Sequence, residues 1–466
     1  VTLTAPWPHQ SDFVDFALKW KKVAAVHDTG CGKTRSAVML ADRVGATRIL
    51  IVCPHLALMV WPDQLRKWQT RERTISIVKS DDAPLHATDV IVIPYNVLST
   101  RPKLSRRLAH YDWDLIVVDE AHALMTRDAV RTRFMYAIDE HRPSVVASSR
   151  YVVLLSATLM PGHPGQLWTH LKALRPELLA EPGYDSFIER YCVTKTADAK
   201  GHERIAGHLP GAPARDLKKR LETFRHRVRK RDALPDLPPV LWTVVPVAVD
   251  DLTVPEGLIN EWRAAEAKLR RDIGGLGGDE ALAAARASPH SATERRLTGL
   301  IKAQAMVAAA TVELDDAPNE KLIVFAYHKQ VIETLTDGLK RFKPAVINAD
   351  RRLDRFDNLR AFQTDKTRRL AIVQIDVGSE AIDLSVASNV WIMESDWTPK
   401  TMTQAAGRAH RPGQRKCVNV RILALAGSID LAIQRVLERK ARAIEEILEP
   451  DLVLTPGEKP RDQSAI

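Results

Sequence analysis

Cysteine is scarce in this chain: Cys31, Cys53, Cys192 and Cys417 lie far apart, and none stands in a Cys-x-x-Cys pair. That spacing argues against a zinc ribbon or a disulfide framework and predicts reduced thiols. No apolar run approaches the ~20 residues a bilayer span needs, and the opening residues, with Pro6, Pro8 and Asp12, lack a signal-peptide pattern. No membrane association is therefore expected, and a soluble, cytoplasmic protein is. Low complexity is confined to the Ala-rich 281–287 stretch. Gly274-Gly275 and Gly277-Gly278 follow no strand, so they mark a loop and not a phosphate cradle. His122 and His410 have no Cys or carboxylate set at ligand spacing, which favours polar-network roles over metal binding.

What the chain does have is length and apolar content. At 466 residues, 45% hydrophobic, it exceeds the size at which one core stops growing, so two or three domains are expected. A net charge of +10 favours a polyanionic partner, although an Arg-rich composition also follows from genome base content. Residues 1–175 alternate apolar strands with amphipathic stretches, as in a doubly wound α/β lobe. A second alternation begins at Lys321-Leu-Ile-Val-Phe325 and continues through Leu370-Ala-Ile-Val373 and Val390-Trp-Ile-Met393. The expected architecture is α/β: two doubly wound parallel-sheet lobes (1–175 and 318–428), helical insertions and a basic linker between them (176–317), and a C-terminal helix with a tail (429–466).

Between the lobes, Leu217, Leu221, Phe224 and Val228 are spaced for one buried helical stripe. The same stretch carries Arg215, Lys218, Lys219, Arg220, Arg225, Arg227, Arg229, Lys230 and Arg231 against Asp216, Glu222 and Asp232. Two readings of this charge stand level: a surface that neutralises duplex phosphates, and a solvated face.

Chemistry concentrates in a few segments. Val23-Ala-Ala-Val26 reads as a strand and Lys33 to Arg43 as a helix, with Asp28-Thr29-Gly30-Cys31-Gly32-Lys33-Thr34 between them. Gly30 and Gly32 let backbone N–H groups approach phosphates, Lys33 can reach the β- and γ-phosphates of ATP, and the Thr34 hydroxyl can ligate Mg2+. The full phosphate-loop pattern also wants glycine at position 27, where this chain has His27. Leu115-Ile-Val-Val118 is a continuous apolar run, the pattern of a strand buried on both faces, and it delivers Asp119 and Glu120 to its C-terminal end. Asp119 is the candidate for magnesium and Glu120 for polarising the attacking water. Arg408 and Arg411, three apart, share a face if the segment is helical, with Gln404 one turn earlier. Trp61, Trp68 and Trp168 are expected as core anchors.

These segments, in this order, resemble the superfamily-two helicase motors and within them the Swi/Snf-type DNA translocases. His9-Gln10 resembles the adenine-reading glutamine element. Ile49-Leu-Ile-Val-Cys-Pro54 with Trp61 and Trp68, Ile91-Val-Ile-Pro-Tyr95, and Leu154-Leu-Ser-Ala-Thr-Leu159 resemble the elements that follow it. Arg225 to Pro239 resembles the family's basic segment ending in Leu-Pro. Tyr184, Phe187 and Arg190-Tyr191-Cys192 resemble the annealing-helicase branch, and Ile429 to Leu448 the brace helix. Gly378-Ser379-Glu380-Ala381-Ile382-Asp383-Leu384 departs from the Swi/Snf form toward the general helicase one, in which the Asp contacts ribose or orders the interlobe contact. Leu-Ser-Ala-Thr likewise stands where the family has Leu-Thr-Gly-Thr.

The resemblance implies two RecA-like lobes that close on Mg-ATP. Gln10, Asp28 to Thr34, Asp119, Glu120, Gly378, Asp383 and Gln404 would hold the nucleotide, and Arg408 and Arg411 would complete the hydrolytic site. It implies a monomeric prokaryotic or viral motor on double-stranded or branched DNA, acting in replication, recombination or repair, with no room for a reader, nuclease or finger module. Two rival readings remain at this point: a strand-separating helicase on DNA or RNA, suggested by Asp119-Glu-Ala-His122, and an ATP-controlled DNA clamp without sustained turnover.

Overall fold

The computed structural model describes residues 4–138, 144–160, 162–196, 203–274, 284–285, 287–349, 354–375, 382–394, 399–431 and 433–434. The chain divides at Pro235/Asp236 into two compact units.

The first unit is built on β1 (Lys22–His27), β2 (Ile49–Cys53), β3 (Ile75–Ile77), β4 (Val90–Pro94), β5 (Trp113–Asp119) and β6 (Ser149–Ser156). An antiparallel pair, β7 (Cys192–Thr196) and β8 (Glu203–His208), follows, and then β9 (Arg225–Val228). The main sheet runs β3-β4-β2-β5-β6-β1-β9, parallel throughout. Its strands are apolar in unbroken runs because both faces are covered. Val26, Val52, Ile93 and Val118 pack into one core, while their neighbours Ala25, Ile51, Val92 and Val117 pack into another. Such a sheet places all its strand ends, and hence His27, Pro94 and Asp119, along one edge.

The stretch from Leu217 to Val228 is not one helix. A helix spans Ala212–Leu221 and buries Leu217 and Leu221, whereas Arg225–Val228 is a strand. The reason is tertiary. β1 is open on that side, and Ala24 N–H donates to Phe224 O at 2.7 Å while Asp28 N–H donates to Val228 O at 3.0 Å. Satisfying those buried amides outweighs the helical spacing of the apolar residues.

The second unit contains β10 (Val240–Val247), β11 (Leu322–Ala326), β12 (Ala345–Ile347), β13 (Leu370–Gln374), β14 (Asn389–Ile392) and β15 (Val418–Leu425), in the parallel order β10-β15-β14-β11-β13-β12. β10 comes from the stretch that reads as mostly helical. Its Val-Leu-Trp-Thr-Val-Val-Pro-Val sequence is β-branched, and its edge position tolerates Pro246. Helix Glu256–Ile273 ends at Gly274, whose φ of 60° suits a glycine. Helix Ser291–Asp316 is long and apolar enough to cross a bilayer by length and composition. Here it is a core helix: Met306, Ala310 and Leu314 pack on the second sheet, and buried Lys302 pairs with Asp430 at 2.6 Å and donates to Leu423 O at 2.9 Å. Each unit is thus a RecA-like parallel-sheet lobe. Ile429 and Ile433 are buried, and the brace helix expected over 429–448 lies outside the described residues beyond Gln434.

Candidate nucleotide-binding site

The turn from β1 into helix Lys33–Arg43 has the backbone a phosphate loop needs. Gly30 and Gly32 sit at φ of 92° and 71°, conformations closed to most L-residues. A Cβ on Gly32 would also lie 2.4 Å from Gln10 Nε2. No side chain caps the helix, so its first-turn amides are left for an anion. Lys33 Nζ donates to the loop's own carbonyls, His27 O at 2.8 Å and Asp28 O at 3.3 Å.

The neighbours of this loop are more extensive than its motif suggests. Gln10 is buried, accepts from Trp7 N–H at 3.0 Å and donates to Gly32 O at 3.3 Å, while His9 Nε2 bonds Cys31 O at 2.9 Å. The glutamine expected to read adenine therefore also ties helix Pro8–Trp20 to the loop. Asp28 turns its carboxylate to β9 and beyond: Arg227 Nη1 donates to it at 2.7 Å and Lys230 N–H at 2.8 Å. Although burial opposes ionisation of Asp28, the Arg227 charge and these bonds prevail and hold its pKa below the usual range. Cys31 is buried, and that burial pushes its thiol up to about 11, leaving it inert at neutral pH.

His27 has a structural explanation. It is the last residue of β1, fully buried, with Nε2 3.0 Å from His226 Nδ1 and its ring edge-on to Phe13 at 5.4 Å. Burial first, then the neighbouring His226 and Lys33, drives its pKa well below that of a free histidine, so it is neutral.

Asp119 and Glu120 end β5 as expected. Glu120 N–H donates to Asp119 Oδ1 at 3.0 Å, Trp61 Nε1–H to Asp119 Oδ2 at 3.0 Å, and Tyr95 O–H to Asp119 O at 2.6 Å. Burial and then the Glu120 charge raise Asp119 to about 6, with the Trp61 bond and the Lys33 charge opposing. Lys33 and the two acids are thus electrostatic neighbours. Glu120 has φ of 52°, a strained conformation for a non-glycine, and its carboxylate lies 3.2 Å from His122 Nδ1. The two adjoining carboxylates of Asp119 and Glu120 are of the chemistry that suits a hard dication. Carboxylate and hydroxyl oxygens, the donor types that Asp119 and Thr34 carry, are those magnesium takes alongside waters and phosphates. No group of three or more His, Cys, Asp or Glu able to hold an ion occurs among the described residues.

In the second unit, Gln404 and Arg408 are buried on helix Pro399–Ala409. Arg411 does not share that helix face, a correction to the expectation from spacing: the helix stops at Ala409 because Pro412 disfavours helical backbone at the residue before it. Arg411 is instead in a turn, its guanidinium pKa lowered by burial and supported by the Asp383 charge. Leu384 N–H donates to Arg408 O at 3.0 Å, and Gln414 Nε2 donates to Ser385 O at 3.0 Å and Ala387 O at 2.9 Å, which binds the 383–387 turn to the arginine segment. Asp383, Arg408 and Arg411 are brought together; Gly378 lies outside the described residues. His410 bonds Pro238 O at 2.7 Å, a polar-network role as expected.

Spacing left several residues unassigned. Arg227 and His226 reach the loop from about 200 positions away, with no local signal. Trp61 is buried as a core anchor should be, but its indole N–H also serves Asp119.

The fold and loop define a helicase-like P-loop protein with two RecA-like lobes. The chain belongs to the SNF2-related family, whose domain profile matches residues 11–248, and the helicase conserved C-terminal domain matches residues 304–413. It is 26% identical over 462 residues to the DNA annealing helicase and endonuclease ZRANB3 of Homo sapiens, covering 93% of this chain and 40% of that protein. It is 25% identical to the SWI/SNF-related matrix-associated actin-dependent regulator of chromatin subfamily A-like protein 1 of Drosophila melanogaster, covering 94% and 55%. Among solved structures it matches the Sulfolobus solfataricus SWI2/SNF2 ATPase core in complex with dsDNA at 18% identity and a TM-score of 0.44, covering 96% and 94%. The chain spans about 40% of the length of the first of these relatives.

Proposed function

We propose that this chain is a DNA-dependent ATPase that translocates on double-stranded or branched DNA and remodels it by branch migration, fork reversal or annealing. The observation that carries this reading is the Lys33–Asp119–Glu120 grouping at one sheet edge of an SNF2-family chain. In this reading the loop amides and Lys33 take the ATP phosphates, and Thr34 and Asp119 hold magnesium. When bound, the metal neutralises phosphate charge and orients the leaving group. Glu120 accepts the proton of the attacking water, and Arg408 and Arg411 stabilise charge on the departing phosphate. Gln10, Asp28, Asp383 and Gln404 support the nucleotide and the arginines. The relatives named as an annealing helicase and a chromatin regulator support DNA as the track, as does the charge of +10. A cytoplasmic, monomeric setting accompanies the proposal.

Exposure and pairing of the basic side chains support a narrower choice of DNA-facing residues in this reading. Arg227 is engaged with Asp28 and Lys230 is buried, whereas Arg215, Lys218, Lys219 and Arg231 are exposed. These four are the proposed phosphate contacts. A second reading, a strand-separating helicase, draws on His122 lying beside Glu120 in the Asp-Glu-Ala-His arrangement. The two separate on one assay: ATP-driven displacement of a triplex-forming third strand, which needs tracking alone, against separation of a tailed partial duplex. Displacement of the third strand with the tailed duplex left intact supports the translocase; efficient separation of the tailed duplex supports the rival.

A further inference from the structure

Asp119 is held more firmly than its place at a strand end requires. Both carboxylate oxygens are engaged, Oδ1 by Glu120 N–H and Oδ2 by the Trp61 indole, and the residue's own carbonyl accepts from Tyr95 O–H. The two aromatics come from different elements, Trp61 from helix Val60–Trp68 and Tyr95 from the helix that follows β4, and both are buried. An indole N–H is a donor only, and Trp61's is spent on a carboxylate rather than on a backbone carbonyl.

Lys33 is the near cationic competitor for that carboxylate. It acts electrostatically on Asp119, yet its ammonium is bonded to His27 O and Asp28 O. A carboxylate with free torsions beside an ammonium would collapse into an ion pair with it, occupying both the metal donor and the phosphate-binding charge. Donors on both of its oxygens, Glu120 N–H on Oδ1 and the Trp61 indole on Oδ2, compete with that pairing.

We propose that Trp61 and Tyr95 are positioning residues that clamp Asp119, keeping its carboxylate available to magnesium and Lys33 available to phosphate. This rests on the assignment of Asp119 as the magnesium-holding acid. Neither aromatic touches nucleotide in this account; each acts through Asp119.

The test is the binding of a fluorescent ATP analogue, followed by anisotropy while magnesium is titrated, in the whole chain and in Trp61→Phe, Tyr95→Phe and Asp119→Ala, with an unfolding midpoint for each. Asp119→Ala should abolish the magnesium-dependent part of the affinity. Trp61→Phe should raise the magnesium half-saturation by roughly 10–100-fold, as expected when a partner orienting a metal ligand is removed. Tyr95→Phe, which deletes a single oxygen and keeps the ring, should move it several-fold in the same direction, about what one lost hydrogen bond supplies. Affinity measured without magnesium should stay near that of the parent. If both aromatic variants lower the unfolding midpoint and leave the half-saturation unchanged while Asp119→Ala abolishes it, the aromatics are only packing and the clamp is wrong. If Asp119→Ala itself leaves the magnesium dependence intact, the assignment of the metal acid fails and takes the clamp with it.

Discussion

Replacing His27 with glycine would restore the full phosphate-loop pattern, and motif logic alone expects such a change to be harmless. The structure predicts substantial destabilisation. His27 is fully buried in β1, where glycine weakens a strand by about 0.5–1 kcal/mol. Its Nε2 partners His226 Nδ1 at 3.0 Å, and deleting one side leaves the half-buried His226 short of a bond, about 1 kcal/mol. The ring also fills space between Phe13, His9 and His226, with centroids 5.4, 5.9 and 5.2 Å away, and the cavity left behind adds about 2–3 kcal/mol. The total of about 4 kcal/mol lowers the melting temperature of a unit this size by about 8–16 °C. Thermal unfolding followed by circular dichroism at neutral pH measures it directly. The pH dependence gives a second check. Native His27 stays neutral because its pKa is depressed, so the unfolded chain binds the extra proton below pH ~6.5 and the parent loses stability there. The gap between parent and His27→Gly should therefore narrow in acid. A midpoint within about 2 °C of the parent at neutral pH would refute the reasoning.

Arg411→Ala should lower ATP turnover by about three orders of magnitude while nucleotide Kd stays within several-fold, measured by steady-state kinetics and direct binding; a large rise in Kd with intact kcat would make Arg411 a ground-state binder. Joint reversal of Lys218 and Lys219 to Glu should flatten the log–log salt dependence of DNA affinity by about 2 in slope, and an unchanged slope would return that face to solvent. Burial raises Glu294 to about 7 against hydrogen bonds from Thr298 and Trp262, so the native state holds its proton above pH ~4.5 and the parent loses stability as pH rises toward 7. Glu294→Gln should remove that loss and be more stable than the parent at pH 8 by about 1–3 kcal/mol in denaturant unfolding, with the difference shrinking at pH 5.

What could be read from the sequence was what is local. Continuous apolar runs marked β1, β5 and β11, the family resemblance pointed to the segments of β2 and β4, and the spacing of Gly30, Gly32, Lys33 and Thr34 placed the loop between strand and helix where it is found. β9 and β10 were not legible as sheet strands because what decides them is an open sheet edge elsewhere in the chain, not their own periodicity. The bonds from His226, Arg227 and Lys230 to the loop were hidden for the same reason. The end of the helix before Arg411 did have a local marker, Pro412, which outweighs the three-residue spacing of the arginines. Trp61 shows a further limit: hydrophobicity signals burial but not the carboxylate that a buried N–H finds.

The central claim, an ATPase driven by intact or branched DNA, is tested most directly by steady-state ATP hydrolysis on duplex, forked, four-way-junction and single-stranded DNA, with RNA as control. Duplex or branched DNA should stimulate turnover more than single strands or RNA, and Lys33→Ala and Glu120→Gln should abolish it, the latter still binding ATP. Stronger stimulation by single strands or RNA, or near-normal turnover in folded Lys33→Ala, would contradict the account.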